Sequence, residues 1–364
     1  MMSSPVAAAP RTPRRPARMP LWDNARFVAI TLVVMGHAIL KLIAESDPAY
    51  GVYLFIYAFH VPVFVAVAGY FAKATPPGVK QLKKLVTDLV LPYLIFEVIW
   101  TIVRALVTGR FNPDLATPSW TLWFLLALII WRVVLPYLAL LRFPLLIAVV
   151  ISVASGYLPA IGSVFALDRT LALLPFFVLG WKLRMLPVTT LWTELPVRRV
   201  WWWRAGAIAV FAALALVIAT NVPLWRELKV RRVLLFEEAY PEFGYDQWWA
   251  GGLRLAAIAL AVLLVFSFLV LMPRRATWVS PLGQATLYVY LLHSFVLYPI
   301  RESGWLDVPR DDLLLVGMML FSILLTLALS SRPVRRVFRP LVEPRAEWLF
   351  ARGDEKITPR VGAD

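Results

Sequence analysis

Ten stretches of roughly 20 mostly apolar residues, the length a helix needs to cross the hydrocarbon core of a bilayer, divide the chain. They lie near 24–44, 50–72, 85–107, 120–138, 142–160, 164–182, 201–221, 250–272, 278–299 and 311–331. The fifth and sixth are interrupted, because "SGYLPAIGSVFALDRT" sets Gly, Pro, Asp168 and Arg169 among the apolar positions. The polar positions between the runs are uneven in sign. Lys73, Lys80, Lys83 and Lys84 fall in one connection, Arg142 in the next but one, then Lys182, Arg184, Arg198, Arg199 and Arg204, then Arg274 and Arg275. Arg11, Arg14, Arg15 and Arg18 precede the first run and "RPVRRVFRP" follows the last. Basic residues stay on the cytoplasmic side of a membrane, so the alternation predicts an all-α polytopic membrane protein of about ten transmembrane helices with both termini cytoplasmic.

The same pattern sets the domain organisation. Residues 1–21, rich in Pro, Ala and Arg with no apolar core of signal-peptide type, read as a flexible basic cytoplasmic tail. Residues 22–331 form the ten-helix membrane domain, and 332–364 a basic cytoplasmic C-terminal tail. The connection 221–249 breaks the charge rule with four basic and five acidic residues and several aromatics. It reads as a folded cap on the outer face, with a poorly ordered connector as the alternative.

Composition agrees. An apolar content of 60% and a mean hydropathy of +0.73 exclude an ordinary soluble domain. The net charge of +15 does not point to nucleic acid, because the basic residues alternate with apolar runs instead of forming one face. The absence of cysteine excludes disulfides, thiolate metal sites and a cysteinyl thioester intermediate. No internal repeat, paired broken helices, Walker loop, GxGxxG or H-x-x-x-H spacing is present.

The chemistry concentrates at the three histidines, each inside an apolar segment: "VVMGHAIL" around His37, "YAFHVPVF" around His60 and "YVYLLHSF" around His293. A polar ring at bilayer depth costs several kcal/mol unless it finds a partner, which makes each a site candidate. Arg26 and His37 are eleven residues apart, three helical turns plus about 20°, and so share one face about 16 Å apart. That spacing suits an elongated ligand with its anion at Arg26 and its reactive end at His37. The competing reading has Arg26 reaching headgroups beside Asp23 and His37 bonding a carbonyl. His60 stands two residues before Pro62, placed to satisfy a carbonyl freed by the proline or to face a ligand. Tyr290 and His293, three apart, share a face at the depth of His37. Gly69 suits close helix packing or a helix exit. Glu97 shares a face with Arg104, which fits an assembly ion pair or a proton relay, and Trp123 fits an aromatic belt or a substrate platform.

Six segments, "DNARFVAITLVVMGHA", "FHVPVFVAVAGYF", "KKLVTDLVLPYL", "WTLWFLLAL", "PFFVLGWKL" and "SPLGQATLYVYLLH", resemble in order those of the integral-membrane acyltransferase-3 family, nearest its fucose 4-O-acetylase-like branch. The resemblance runs from Trp22 to about Ser331, and its most specific parts are the Arg26 to His37 spacing and Tyr290-x-x-His293. It implies transfer of an acyl group, commonly acetyl, from cytoplasmic acetyl-CoA or another acyl-CoA to a hydroxyl of a glycan or lipid-linked precursor. It also implies a multi-pass place in the inner membrane of a bacterium. Two departures stand out. Ala68 replaces a common serine before Gly69 and Tyr70, and Lys80, Lys83 and Lys84 stand where arginines are usual, so that phosphate would meet point charges rather than bidentate forks.

The expected function is therefore a membrane O-acyltransferase that needs no metal. His37 acts as general base for direct transfer, and His293 with Tyr290 orients the acceptor or stabilises the oxyanion. Arg26, Lys80, Lys83 and Lys84 are the candidate donor-binding residues, and His60, Trp123 and Glu97 the candidate substrate-binding ones. A proton-coupled exporter or flippase using the histidines as a relay is the alternative from another class. A three-histidine zinc site lacks local ligand spacing.

Overall fold

The structure is a computed structural model that describes residues 19–304, 306 and 312–350. The expected N-terminal tail up to Arg18, and the C-terminal tail beyond Phe350, lie outside the described residues. All regular structure among the described residues is helical. The first membrane run is α1 (Pro20–Ala38), opened by a proline at its first position. The second is a pair, α2 (Asp47–Tyr57) and α3 (His60–Tyr70). The Ser46 hydroxyl caps α2 by accepting from the Ala49 N–H at 3.2 Å. The break falls at Ala58 and Phe59, one turn before Pro62, which has no N–H to offer the Ala58 carbonyl. Next come α4 (Val79–Leu85), a π turn over Val86–Val90 and α5 (Leu91–Thr108), which ends on Gly109 in the left-handed conformation at φ 71°.

After a loop over 110–122 follow α6 (Trp123–Leu138), α7 (Pro144–Ser155), α8 (Leu167–Met185), the short α9 (Val188–Glu194) and the long α10 (Val197–Thr220). The expected cap at 221–249 folds as α11 (Val222–Glu227), α12 (Val230–Leu235) and a 3₁₀ turn at Tyr240–Phe243. Burial pushes the Tyr240 phenol in this cap up to about 12, and its hydroxyl donates to the Val153 carbonyl at 2.9 Å. The chain closes with α13 (Ala250–Leu271), α14 (Thr286–Glu302), α15 (Asp312–Leu329) and α16 (Arg332–Val342).

Every one of the ten apolar runs coincides with a helix or helix pair. Among the described residues, six of these helical stretches are long and apolar enough to cross a membrane: Asp47–Tyr70, Val79–Thr108, Val164–Met185, Val197–Thr220, Ala250–Leu271 and Asp312–Leu329. The segment expected as a C-terminal tail begins with α16, in which Val334, Phe338, Leu341 and Val342 form an apolar stripe at helical spacing and Val342 is fully buried.

The core is built around α1, which packs against α3, α14 and α15. The tightest pair is α3 with α8. A Cβ at Gly69 would overlap the Phe177 carbonyl, and one at Gly180 would overlap the Ala66 carbonyl, so these glycines let the two backbones touch. At the start of α1, buried Asn24 donates to the Pro273 and Arg275 carbonyls at 3.0 Å and accepts from Thr277 and Ser280 at 2.7 and 2.6 Å. Its hydrogen-bonding capacity is filled, and α1 is thereby pinned to the turn that precedes α14.

Candidate active site

His37, near the end of α1, and His293, in the middle of α14, meet where the two helices cross. Nε2 of His293 is 3.3 Å from Nδ1 of His37, and Nδ1 of His293 is 2.9 Å from the Val289 carbonyl oxygen. A carbonyl only accepts, so with both rings neutral Nδ1 of His293 carries the proton and its Nε2 accepts from Nδ1–H of His37. Nε2 of His37 is then a lone pair. It has no hydrogen-bond partner among the described residues, and His37 lines a cavity of about 190 Å³. The carbonyl of one residue thus sets the tautomer of a ring two steps away.

Other walls of this cavity come from distant parts of the chain. His60 lines it from α3, with Nδ1 2.9 Å from the Ile56 carbonyl beside the helix break, not from the Ala58 carbonyl that Pro62 leaves without an N–H. Trp123 contributes from α6 with the Arg169 guanidinium 4.9 Å from its ring centre, and Arg169 forms an ion pair with Glu237 of the cap. Arg231 of α12 also faces the cavity, with its Nε 3.5 Å from the Tyr53 hydroxyl. Trp120 stacks on His37 with centroids 5.5 Å apart and planes 13° apart.

A second cavity, of about 260 Å³, adjoins the first through Phe64, Phe124 and Tyr290, which line both. It holds Arg26, whose guanidinium lies 3.7 Å from Asp23 and 4.2 Å from the Phe71 ring centre, together with Arg132 of α6. A third, of about 270 Å³, shares Phe71 and Arg132 with the second and adds Lys73 and Lys84. The three form a row from the lysine-bearing connection to His37.

Residues 20–331 match a family described as an acyltransferase domain, the acyltransferase-3 family. The chain belongs to this family. It is also 26% identical over 296 residues to the nodulation protein NolL of Mesorhizobium japonicum, covering 76% of this chain and 75% of that protein. No solved structure matches the chain.

The expected site residues of this acyltransferase divide into two sets. His37, His60, Tyr290 and Trp123 line the first cavity, with His293 directly behind His37. Arg26 and Lys84 lie farther along the row. Lys80 and Lys83 line none of the three cavities, and Lys83 instead lies 5.0 Å from the Phe350 ring centre. Glu97 lines none of them either. It is fully buried, accepts from the Ser119 N–H at 2.8 Å and from the Ser119 hydroxyl, and lies 3.4 Å from Arg104, the ion pair that its helical spacing suggested. Tyr290 borders the first two cavities, but its hydroxyl donates to the Thr121 carbonyl. That proton is therefore committed to the fold.

The reading of the sequence passed over Trp120, Thr121, Arg231 and Arg132. Arg132 carried a usable signal, a lone charge in "IIWRVVLP" that deserves the same suspicion as a membrane histidine. Trp120 and Thr121 sit in a loop with no periodic pattern, and only the fold brings them to His37.

Proposed function

We propose that the chain is a membrane-embedded O-acyltransferase, an acetyltransferase in the first instance, that moves the acyl group of acyl-CoA to a hydroxyl of a carbohydrate. The observation that carries this reading is the His293 to His37 contact, which leaves a basic nitrogen on a ring that lines the first of two adjoining, differently furnished spaces. On one side runs the row of cavities with Arg26, Arg132, Lys73 and Lys84 at increasing distance, suited to an apolar arm ending in phosphates. On the other side Trp123, Arg169, Arg231 and Glu237 offer an aromatic face and charged hydrogen-bonding groups under the cap, as a sugar requires.

The chemistry follows from this arrangement. Nε2 of His37 accepts the proton of the acceptor hydroxyl as that oxygen bonds to the thioester carbon, and the carbonyl π pair moves to oxygen. Collapse of the tetrahedral intermediate restores the C=O bond and breaks the C–S bond. The departing thiolate takes the proton back from His37, giving an ester and the free thiol. His293 holds the imidazolium of His37 by accepting from its Nδ1–H throughout. With a cytoplasmic N-terminus the donor row opens to the cytoplasm and the cap faces the opposite side.

The test is transfer from labelled acetyl-CoA by purified, monodisperse protein, with cell-surface glycans of a deletion strain as acceptor. The parent protein labels the glycan, and the His37→Ala variant loses about 10²–10⁴ in kcat, the usual worth of a positioned base. Label transfer undiminished in His37→Ala overturns the mechanism. Glycans of identical acyl content in deletion and parent strains overturn the acceptor class.

A further inference from the structure

Acyl transfer needs a hydrogen-bond donor for the oxyanion as well as a base. The histidine pair and Tyr290 do not supply one. Nδ1–H of His293 is bonded to Val289, Nδ1–H of His37 to His293, Nδ1–H of His60 to Ile56 and the Tyr290 hydroxyl to Thr121. Three consecutive loop residues next to His37 show a different pattern. Ser119 is held through its N–H and its hydroxyl by the buried carboxylate of Glu97 from α5. Trp120 adopts φ 36°, a left-handed value that a bulky residue rarely takes, and stacks on the His37 ring. Thr121 has its carbonyl held by Tyr290 from α14, lines the His37 cavity, is 2% exposed, and has a hydroxyl with no hydrogen-bond partner among the described residues.

A strained turn persists only where its surroundings over-determine it, and a buried hydroxyl without a partner costs stability. Here the strained residue stacks on the proposed base, and the hydroxyl belongs to a residue that lines the same cavity. Glu97, read from the sequence as an ion-pair partner of Arg104 and as a candidate substrate-binding residue, and Tyr290, read as a group for the acceptor or the oxyanion, hold the two ends of this turn from separate helices. Asp114 organises its approach by accepting from the Ala116 and Thr117 N–H groups at 2.9 and 3.0 Å, and those bonds, Thr117 first, hold its carboxyl below the usual range.

We infer that the Ser119–Thr121 turn is the oxyanion-binding element of the site, with the Thr121 hydroxyl as donor to the tetrahedral intermediate. Trp120 fixes the plane of His37, and Glu97 and Tyr290 act as positioning residues through the turn. The inference rests on the acyl-transfer reading and follows its electrons. As the acceptor oxygen bonds to the carbonyl carbon and His37 takes its proton, the charge gathered on the carbonyl oxygen is met by the Thr121 O–H. That hydrogen bond weakens again when the C–S bond breaks and the thiolate recovers the proton.

The experiment compares Thr121→Val, which keeps the shape and removes the hydroxyl, with Thr121→Ser, which keeps the hydroxyl. Both are assayed for acetyl transfer and for binding of a thioether analogue of acetyl-CoA that cannot react. Thr121→Val is expected to lower kcat by about 10²–10³ with analogue affinity near the parent's, and Thr121→Ser to recover most of that loss. Tyr290→Phe, which frees the Thr121 carbonyl, is expected to lower kcat by about tenfold without changing the donor KM. It serves as the second variant should Thr121→Val fail to fold. If the parent protein transfers acetyl groups and His37→Ala does not, parental kcat in Thr121→Val, or in Tyr290→Phe should that variant stand in, overturns this inference and leaves the acyl-transfer reading intact. A parent protein that neither binds the analogue nor transfers acetyl groups sinks both.

Discussion

Nε2 of His293 lies 3.3 Å from Nδ1 of His37, and this contact joins two rings 256 positions apart in the chain. Groups that act as a unit give non-additive losses. His37→Ala and His293→Ala should each lower kcat, by about 10²–10⁴ and about 10–10³ respectively, with the double variant no worse than His37→Ala alone. Single-turnover kinetics of the three variants decide it. Multiplying losses in the double variant would show that the rings work separately.

The tautomer chain predicts a pH dependence. Only the neutral pair presents a lone pair on Nε2 of His37, and a proton on either ring abolishes it. kcat should therefore fall on acidification with a slope approaching one, and the acid limb should be absent from the residual activity of His37→Ala. A pH profile of both proteins at saturating donor is the measurement.

The row of cavities predicts which cations serve the donor. Arg26→Ala, Arg132→Ala and Lys84→Ala should each raise the KM for acyl-CoA, by about 5–50-fold, while changing kcat less. Lys80→Ala and Lys83→Ala should change it less than about twofold, since neither lines the row. Equal effects across the five variants would mean that the basic connection acts only as a diffuse charge.

The α3 and α8 contact predicts a stability defect far from the chemistry. In Gly180→Ala the new Cβ meets the Ala66 backbone, which has no side-chain freedom to yield, so a loss of at least about 1–3 kcal/mol is expected. Thermal denaturation in detergent should show a lowered midpoint and reduced recovery of monodisperse protein.

The charge alternation predicts opposite exposure for two positions. Asp246→Cys in the cap should label from outside the cell with an impermeant maleimide, and Asp364→Cys only after permeabilisation. The chain contains no cysteine, so neither signal has a background. Labelling of both from one side would contradict an even number of spans.

What the sequence determined by itself is the helical architecture and the identity of the base candidates, because both depend on local composition. A run of 20 apolar residues in lipid must satisfy its own backbone, whatever its neighbours, and only a helix does so within one segment. A histidine inside such a run is conspicuous without any structure, and His37, His60 and His293 all reach or adjoin one cavity. Asn24 drew no reading from the sequence, since the four bonds that fill it come from positions 273–280 and no spacing announced them.

Tertiary structure alone decided the contacts. Glu97 and Tyr290 carry groups that chemistry could use in several ways, and which way depends on what lies within 3 Å, a matter of how α5 and α14 pack against a loop from elsewhere. Likewise Lys80, Lys83 and Lys84 share one helix face and are near-equivalent in sequence, yet they stand at different heights along it and, of the three, only Lys84 borders the cavity row. Trp120 and Thr121 had no periodic pattern to mark them. Their placement against His37 is set by hydrogen bonds between residues far apart in the chain, and such contacts leave no trace in the order of residues on either side.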